Sequence, residues 1–162
     1  MNDFGGSPKG PIWDYQRYKK VDFSKIKTAE QLNDLCKDTF VDYLGIEMIS
    51  VDDVCSVARM KISNINMAPN GYVHGGVIAS LAETACGNGT IFHLGEEEAF
   101  STIEFKINFV SAPKKDALLC KATIVHNGRT TQVWDAEVVE EETSRVLAHY
   151  RCTQIIMRSK SI

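Results

Sequence analysis

The sequence lacks any apolar run long enough to cross a membrane. A membrane-spanning helix needs about 18 consecutive apolar residues, and none occurs in the 162 residues. The first residues, MNDFGGSPKGPIWDYQRYKK, also lack an apolar core like that of a signal peptide. We therefore expect a cytoplasmic protein without a membrane partner.

An excess of positive charge is missing as well. The chain has 18 Lys and Arg against 21 Asp and Glu, which gives a net charge of −3. Proteins that bind nucleic acid non-specifically present a basic surface, so we expect no nucleic-acid partner. The hydrophobic content of 44% and the charged content of 24% are close to those of globular domains, and the length suits one domain.

Cysteine motifs are absent too. The five cysteines are widely spaced and form no C-x-x-C pair, so their pattern indicates neither a zinc site nor a redox pair. Four of them stand among apolar residues, where reduced thiols packed in the core are expected. The spacing of the histidines is not typical of metal ligands either, and we expect no metal.

Helix signals begin after a stretch rich in glycine and proline. That composition discourages regular structure, and we predict a flexible N-terminal leader over residues 1–27 and a single domain over residues 28–162. Thr28 to Gln31 match a capping box, in which the Thr and Gln side chains satisfy each other's backbone donors. The apolar spacing that follows predicts one helix ending near Gly45.

Strand signals dominate the rest of the chain. A hairpin is predicted around Asp52-Asp53, and four strands are predicted from Ala99 onward. The alternation in STIEFKINFV predicts one apolar face, and Asn127-Gly128 is a strong hairpin signal. The residues assigned to that apolar face are Ile103, Phe105, Ile107 and Phe109.

Short connections favour antiparallel pairing. The apolar stretch from about residue 75 to residue 92 predicts a helix that is apolar all round because the sheet encloses it. The predicted fold is therefore α+β, a curved antiparallel sheet of about six strands wrapped around a long central helix.

The start of this helix carries the sequence His74-Gly75-Gly76. The first turn of a helix leaves backbone N–H groups without internal partners, and the helix dipole adds partial positive charge there. Glycines let a ligand oxygen approach, so this turn is a candidate oxyanion hole. Close packing of helix and sheet would explain the glycines equally well. His74 would orient the turn, contact a substrate carbonyl, or be purely structural.

Glu83 is the one acid within this apolar helix. Its neighbours three and four residues away include no cation, so no salt bridge within the helix explains it. A buried carboxylate without a partner is costly, so Glu83 must reach solvent, a hydrogen-bond network or a ligand. A carboxylate in such a setting suits a general base. The alternative is an exposed glutamate on a hydrated face of the helix.

Three segments together carry a family resemblance. NGYVHGGVIASLAETACG, followed by TIEFKINFVSAP and VHNGRTTQVWDAEVVEE, resembles the PaaI-type acyl-CoA thioesterases of the hotdog-fold superfamily, over about residues 39–157. The resemblance implies that two subunits form a continuous sheet with active sites at their interface, usually with dimers paired into tetramers. It implies that Glu83, where most relatives have Asp, is general base or nucleophile, and that the Gly75 N–H polarises the thioester carbonyl.

The resemblance also assigns more peripheral roles. Many relatives have an asparagine six residues before the histidine, where this chain has Ala68, so Asn70 or Asn66 is a candidate replacement. Thr102 matches a hydroxyl residue that helps to hold the water, with Ser101 beside it. Cations are expected around the phosphates of coenzyme A. Arg129, Lys114 and Lys115 are the candidates, and exposed surface charge is the alternative reading of each.

The resemblance therefore implies hydrolysis of an acyl-CoA thioester to a free acid and coenzyme A. No cofactor is expected, because the coenzyme A is part of the substrate. One alternative is a non-catalytic hotdog protein that binds acyl-CoA. A hydratase or dehydratase acting on an acyl thioester is a further alternative, although those enzymes pair a histidine with an acid in different motifs.

Overall fold

The computed structural model describes residues 21–114 and 116–158. Three helices lie within them: α1 (Ala29–Cys36), α2 (Phe40–Tyr43) and α3 (Gly75–His93), with 3-10 turns at Phe23–Lys25 and Asn64–Asn66. The strands are β1 (Ile46–Val51), β2 (Cys55–Lys61), β3 (Glu98–Phe109), β4 (Ala117–Asn127), β5 (Thr131–Glu140) and β6 (Val146–Arg158).

The six strands form one sheet in the order β1-β2-β4-β5-β6-β3, and each neighbouring pair is antiparallel. Helix α3 contacts every strand. This confirms the predicted architecture, including the two hairpins. No helix in the described part of the chain is both long and apolar enough to cross a membrane.

Helix α3 is buried because its residues are small or apolar on every side. Leu81, Ala82, Ala85 and Cys86 have no exposed surface. At Gly89 the packing is so close that a Cβ atom would lie 2.5 Å from the Trp134 ring. The helix is therefore apolar all round because protein encloses it, as the sequence predicts.

The first predicted helix is two helices. The capping box at Thr28 forms as predicted, but α1 ends at Cys36 and Asp38 adopts a positive φ of 58°. Thr39 then caps α2 by accepting a hydrogen bond from the Val41 N–H. The apolar spacing continues across this break, so the pattern gave no sign of it. Gly45, with φ of 69°, ends α2 in the left-handed region that glycine favours.

The described end of the predicted leader, residues 21–27, contacts the body of the protein. Phe23 and Ile26 pack against the core. The Lys27 ammonium donates to the Phe92 carbonyl at 2.5 Å, where a cation complements the C-terminal end of α3. The rest of that predicted leader lies outside the described residues, so its flexibility and the boundary at residue 28 stay predictions.

Strand β3 contains a bulge at Ile103. Thr102 pairs with Gln154 and Glu104 pairs with Thr153, so Ile103 is the extra residue on β3. A bulge of one residue shifts the alternation of side chains. Thr102 consequently faces α3, and Ile103 is 56% exposed. The assignment of Ile103 to the apolar face with Phe105 was therefore wrong.

Strand β3 is also an edge of the sheet. An unpaired edge leaves a row of backbone N–H and C=O groups available to a further strand. Phe105 and Phe109 lie on this strand and are each about half exposed. An apolar surface on this edge strand is thus exposed in a single subunit.

Candidate active site

Helix α3 begins with a side-chain cap from His74. Its Nδ1 atom accepts a hydrogen bond from the Gly76 N–H at 2.9 Å. In a neutral ring the hydrogen is then on Nε2, because Nδ1 is the acceptor. This geometry fits the hypothesis that His74 orients the turn.

The two glycines differ in what their N–H groups bind. The Gly76 N–H is occupied by His74, whereas no acceptor for the Gly75 N–H is found within the described residues. A Cβ atom at Gly75 would lie 3.0 Å from Cζ of Phe109, so the missing side chain leaves room beside that ring. A cavity of about 360 Å³ opens there, lined by Gly75, Ile78 and the segment 109–113 among others.

Glu83 lies two turns further along α3 and is half-buried. Its Oε1 atom is 2.8 Å from the Thr102 hydroxyl on β3. No salt bridge to Glu83 is found in the described part of the chain. The carboxylate is therefore held by a hydrogen-bond network, one of the three possibilities that its apolar helix left open.

The network continues into the core behind Thr102. The Thr102 Oγ1 atom is also 2.8 Å from Oε1 of Gln154, which is fully buried. The other amide atom of Gln154 is 3.4 Å from the Cys152 sulfur. Thr102 and Gln154, the two side chains that follow Glu83 in this network, carry no charge.

Gln154 was missed by the sequence reasoning. Its signal was a polar side chain in the buried phase of β6, in register with Ala148, Tyr150 and Cys152. Buried polar side chains nearly always have a hydrogen-bond partner. A glutamine at a buried position of an alternating strand therefore indicates a partner inside the protein.

Gly75 and Glu83 lie well apart within one chain. Eight residues separate them on α3, which corresponds to about 12 Å at 1.5 Å per residue. One carbonyl group therefore cannot contact both the Gly75 N–H and the Glu83 carboxylate of the same chain.

Comparison with known proteins identifies the family. The model of the thioesterase superfamily matches residues 70–147. ComA2 of Bacillus subtilis is 32% identical over 125 residues, which cover 75% of this chain and 97% of the relative. The chain belongs to the thioesterase superfamily. This confirms the resemblance and the predicted enzyme class, thioester hydrolase.

Two further relatives are informative. The chain is 29% identical to the 1,4-dihydroxy-2-naphthoyl-CoA hydrolase of Listeria monocytogenes, over 72% of this chain and 94% of the relative. It superposes on the crystal structure of thioesterase HI1161 from Haemophilus influenzae with a TM-score of 0.76 and 29% identity, over 85% of this chain and 96% of that one. The shared architecture confirms the hotdog fold.

A structure solved with coenzyme A is also similar. It is that of a hypothetical thioesterase protein from Streptococcus pneumoniae, with a TM-score of 0.69 and 26% identity. The match covers 80% of this chain and 99% of that one.

In this thioesterase-superfamily chain the loop before His74 contains the two candidate replacements for the missing asparagine. Asn70 is exposed, and its Oδ1 accepts from the Tyr72 N–H at 3.2 Å, so it closes a turn. Asn66 is fully buried, its carbonyl accepts from the His74 N–H at 2.8 Å, and its Nδ2 atom has no partner in the described structure. Asn66 is thus the one whose uncommitted amide donor is buried, and it lies next to the start of the helix.

The candidate phosphate ligands are not brought together within one subunit. Arg129 is exposed in the β4–β5 turn. Nδ2 of Asn127, two residues earlier, lies 3.4 Å from Nδ1 of His93 at the end of α3. Lys114 is exposed in the loop after β3, close to the beginning of α3. Lys115 lies outside the described residues.

Ser101 also lies away from the carboxylate. It is exposed and precedes Thr102 on β3, so it points to the face of the sheet opposite Glu83. A second cavity of about 920 Å³ opens on that same outer face, lined by charged groups such as Lys106, Asp135 and Arg151. It contains neither Glu83 nor Gly75.

Within the described residues, no three His, Cys, Asp or Glu side chains are grouped as metal ligands would be.

Proposed function

We propose that the protein hydrolyses acyl-CoA thioesters to a free carboxylic acid and coenzyme A, with Glu83 as general base or nucleophile. The observation that carries this proposal is the carboxylate of Glu83, held by Thr102 without a cation, on a helix whose first turn has an uncommitted N–H at Gly75. The 1,4-dihydroxy-2-naphthoyl-CoA hydrolase and the structure with coenzyme A support coenzyme A as part of the substrate.

The working site combines two subunits in this proposal. Two β3 edges pair antiparallel about a two-fold axis at Lys106. Because Ile103 is an extra residue on each strand, this register makes residue 102 of one chain face residue 109 of the other. Because Thr102 lies at Glu83 and Phe109 lies at Gly75, this register joins Glu83 to the partner subunit's Gly75. The same pairing covers the half-exposed phenylalanines of β3.

The chemistry follows from these positions. The partner subunit's Gly75 N–H donates to the thioester oxygen and stabilises the negative charge that develops on it. Glu83 takes a proton from a water molecule as the water oxygen attacks the carbonyl carbon. The tetrahedral intermediate then collapses, the C–S bond breaks, and the departing thiolate of coenzyme A takes the proton from Glu83. Direct attack by the carboxylate, through an anhydride, is the nucleophilic variant.

Coenzyme A phosphates would meet basic side chains outside this centre. Lys114 follows the loop that lines the cavity at Gly75, and Arg129 of either subunit is the second candidate. Arg binds phosphate through two parallel hydrogen bonds and Lys through a single charge. Dimers paired into tetramers and a cytoplasmic location complete the proposal.

The direct test is a panel of short, long and aryl acyl-CoA esters, with the released thiol measured by a dye. Glu83→Gln keeps the shape of the side chain and removes the base, so turnover is expected to fall by about two to four orders of magnitude. Glu97→Gln, an exposed change in the turn before β3, is the matched control. Equal release by wild type and Glu83→Gln would overturn the mechanism.

A second candidate function is the binding of acyl-CoA without hydrolysis. Ala68 favours it, because the amide that relatives carry at this position is missing. Calorimetry on the same esters separates the two functions. Tight binding without thiol release supports the binding protein, whereas binding with release supports the hydrolase.

A further inference from the structure

The Thr102 hydroxyl is too close to two acceptors to satisfy both. Its oxygen is 2.8 Å from Oε1 of Glu83 and 2.8 Å from Oε1 of Gln154. A hydroxyl has one hydrogen to donate, while a carboxylate oxygen and an amide oxygen only accept. Either Glu83 carries a proton, or the amide of Gln154 is turned so that its nitrogen faces Thr102.

Each choice completes an unbroken chain of hydrogen bonds. With Glu83 protonated, the carboxyl donates to Thr102, Thr102 donates to the Gln154 oxygen, and the Gln154 nitrogen faces the Cys152 sulfur at 3.4 Å. With Glu83 ionised, the turned amide donates to Thr102, and Thr102 donates to the carboxylate. The amide oxygen then accepts from the Cys152 S–H. The direction of the chain thus follows the proton on Glu83.

We propose that Gln154 is a positioning residue for Glu83, whose amide turns with the proton that Glu83 takes up and releases. This inference rests on the proposed function, in which Glu83 gains a proton from water and gives it to the departing thiolate. Gln154 keeps the Thr102 hydroxyl bonded to Glu83 in both states, because an amide has a donor on one side and an acceptor on the other.

Because the side chain of Gln154 is buried, only an amide at this position can act as both donor and acceptor toward Thr102. Gln154 has no exposed surface, so no water replaces a lost partner of Thr102. Methionine has about the same length and shape but neither donates a hydrogen nor accepts one strongly. With Met at position 154 the Thr102 hydroxyl has one partner only, and its orientation toward Glu83 is held less firmly.

The kinetic test uses Gln154→Met, Thr102→Val and the double variant. Each single change is expected to lower kcat about tenfold or more with little change in KM. The double variant is expected to be no slower than the slower single variant, because both changes break one chain. Gln132→Met is the matched control, since Gln132 is buried opposite Gln154 but bonds to Asn127 and Trp134. Additive losses, or equal losses in kcat at positions 154 and 132, would overturn the proposal.

A measurement independent of turnover uses the side-chain amides. The chain has four glutamines, so ¹⁵N labelling of glutamine gives a short set of side-chain signals. Thr102→Val is expected to shift the Gln154 amide signals and leave those of Gln132 in place. Unchanged Gln154 signals overturn the inference whether or not an ester is hydrolysed. Full turnover by Glu83→Gln overturns the proposed function instead.

Discussion

The hydroxyl of Thr102 on β3 lies 2.8 Å from the carboxylate of Glu83 on α3. The contact joins the edge strand to the central helix directly beside the bulge at Ile103. Without the extra residue, Thr102 would face away from the helix, because side chains alternate along a strand.

Removal of this hydroxyl is expected to slow the reaction and spare the fold. Thr102→Val keeps the branched shape, and the loss of a hydrogen bond to a charged group predicts a fall in kcat of about tenfold to a hundredfold. Steady-state kinetics on the best ester of the panel measure it. Thr102→Ser restores the hydroxyl, so Thr102→Ser is expected to keep most of the activity. Equal losses in the two variants would count against the hydrogen bond.

Mixed subunits test whether the site is shared. Glu83→Gln and Gly75→Val are each expected to be inactive, the second because a side chain at Gly75 meets Phe109. In a mixed dimer one site combines both defects and the other combines Glu83 with Gly75. Random exchange therefore restores about a quarter of the wild-type sites.

The two variants would be co-refolded with different tags, and the assay would follow activity before and after mixing. Wild type refolded with Glu83→Gln is the control for losses in handling. A mixture that stays inactive while the control recovers would show that each site is built within one chain.

Two glycines of α3 are expected to respond in opposite ways to alanine. In Gly89→Ala the new methyl would be 2.5 Å from the buried Trp134 ring, and overpacking costs about 1–3 kcal/mol. In Gly87→Ala it would be 3.3 Å from the edge of the Phe100 ring, which is only partly buried. Alanine favours helix over glycine by about 1 kcal/mol.

Thermal unfolding would compare the two variants with wild type. We expect Gly89→Ala to lower Tm by at least about 2 °C and Gly87→Ala to leave Tm unchanged or to raise it. A Tm for Gly89→Ala equal to that of wild type would mean that Trp134 moves aside at no cost.

Glu140 is expected to make the free energy of unfolding decrease at acidic pH. Hydrogen bonds from Arg145, the Lys114 N–H and Thr143 lower the pKa of this carboxyl from 4.5 to about 2. A lowered folded-state pKa stabilises the protein fully above the unfolded pKa, and this contribution is lost as the pH falls from about 4.5 toward 2.

Urea unfolding at several pH values compares wild type with Glu140→Gln. The free energy of unfolding is expected to be lower in the variant at pH 7, and the difference to narrow below pH 4.5. Glu97→Gln, an exposed change in the turn before β3, is the control. A difference that stays constant down to pH 2 would contradict the assigned role of Glu140.

Local signals were enough to predict much of the fold and part of the site. The capping box at Thr28, the turn at Asp52-Asp53 and the glycines at the start of α3 each act on residues a few positions away. Glu83 was found because an acid in an apolar helix has a cost that only a partner offsets. These features need no knowledge of distant contacts.

Other features depend on contacts that the sequence does not display. The bulge at Ile103 does not interrupt the alternation of apolar residues in the sequence of β3. The break at Asp38 likewise does not interrupt the helical spacing of apolar residues. The role of Gln154 follows only from its hydrogen bond with Thr102, which is 52 residues earlier in the chain. The separation of Arg129 from Lys114 likewise emerges only when the sheet is assembled.

The distance between Gly75 and Glu83 along α3 has a consequence for the living cell. In the proposed pair, a lone subunit carries two halves of a site and no whole one. On dilution below the dissociation constant of the dimer, turnover falls with the square of the subunit concentration. Flux through this step then depends more steeply on how much of the protein the cell makes than on how much ester it supplies.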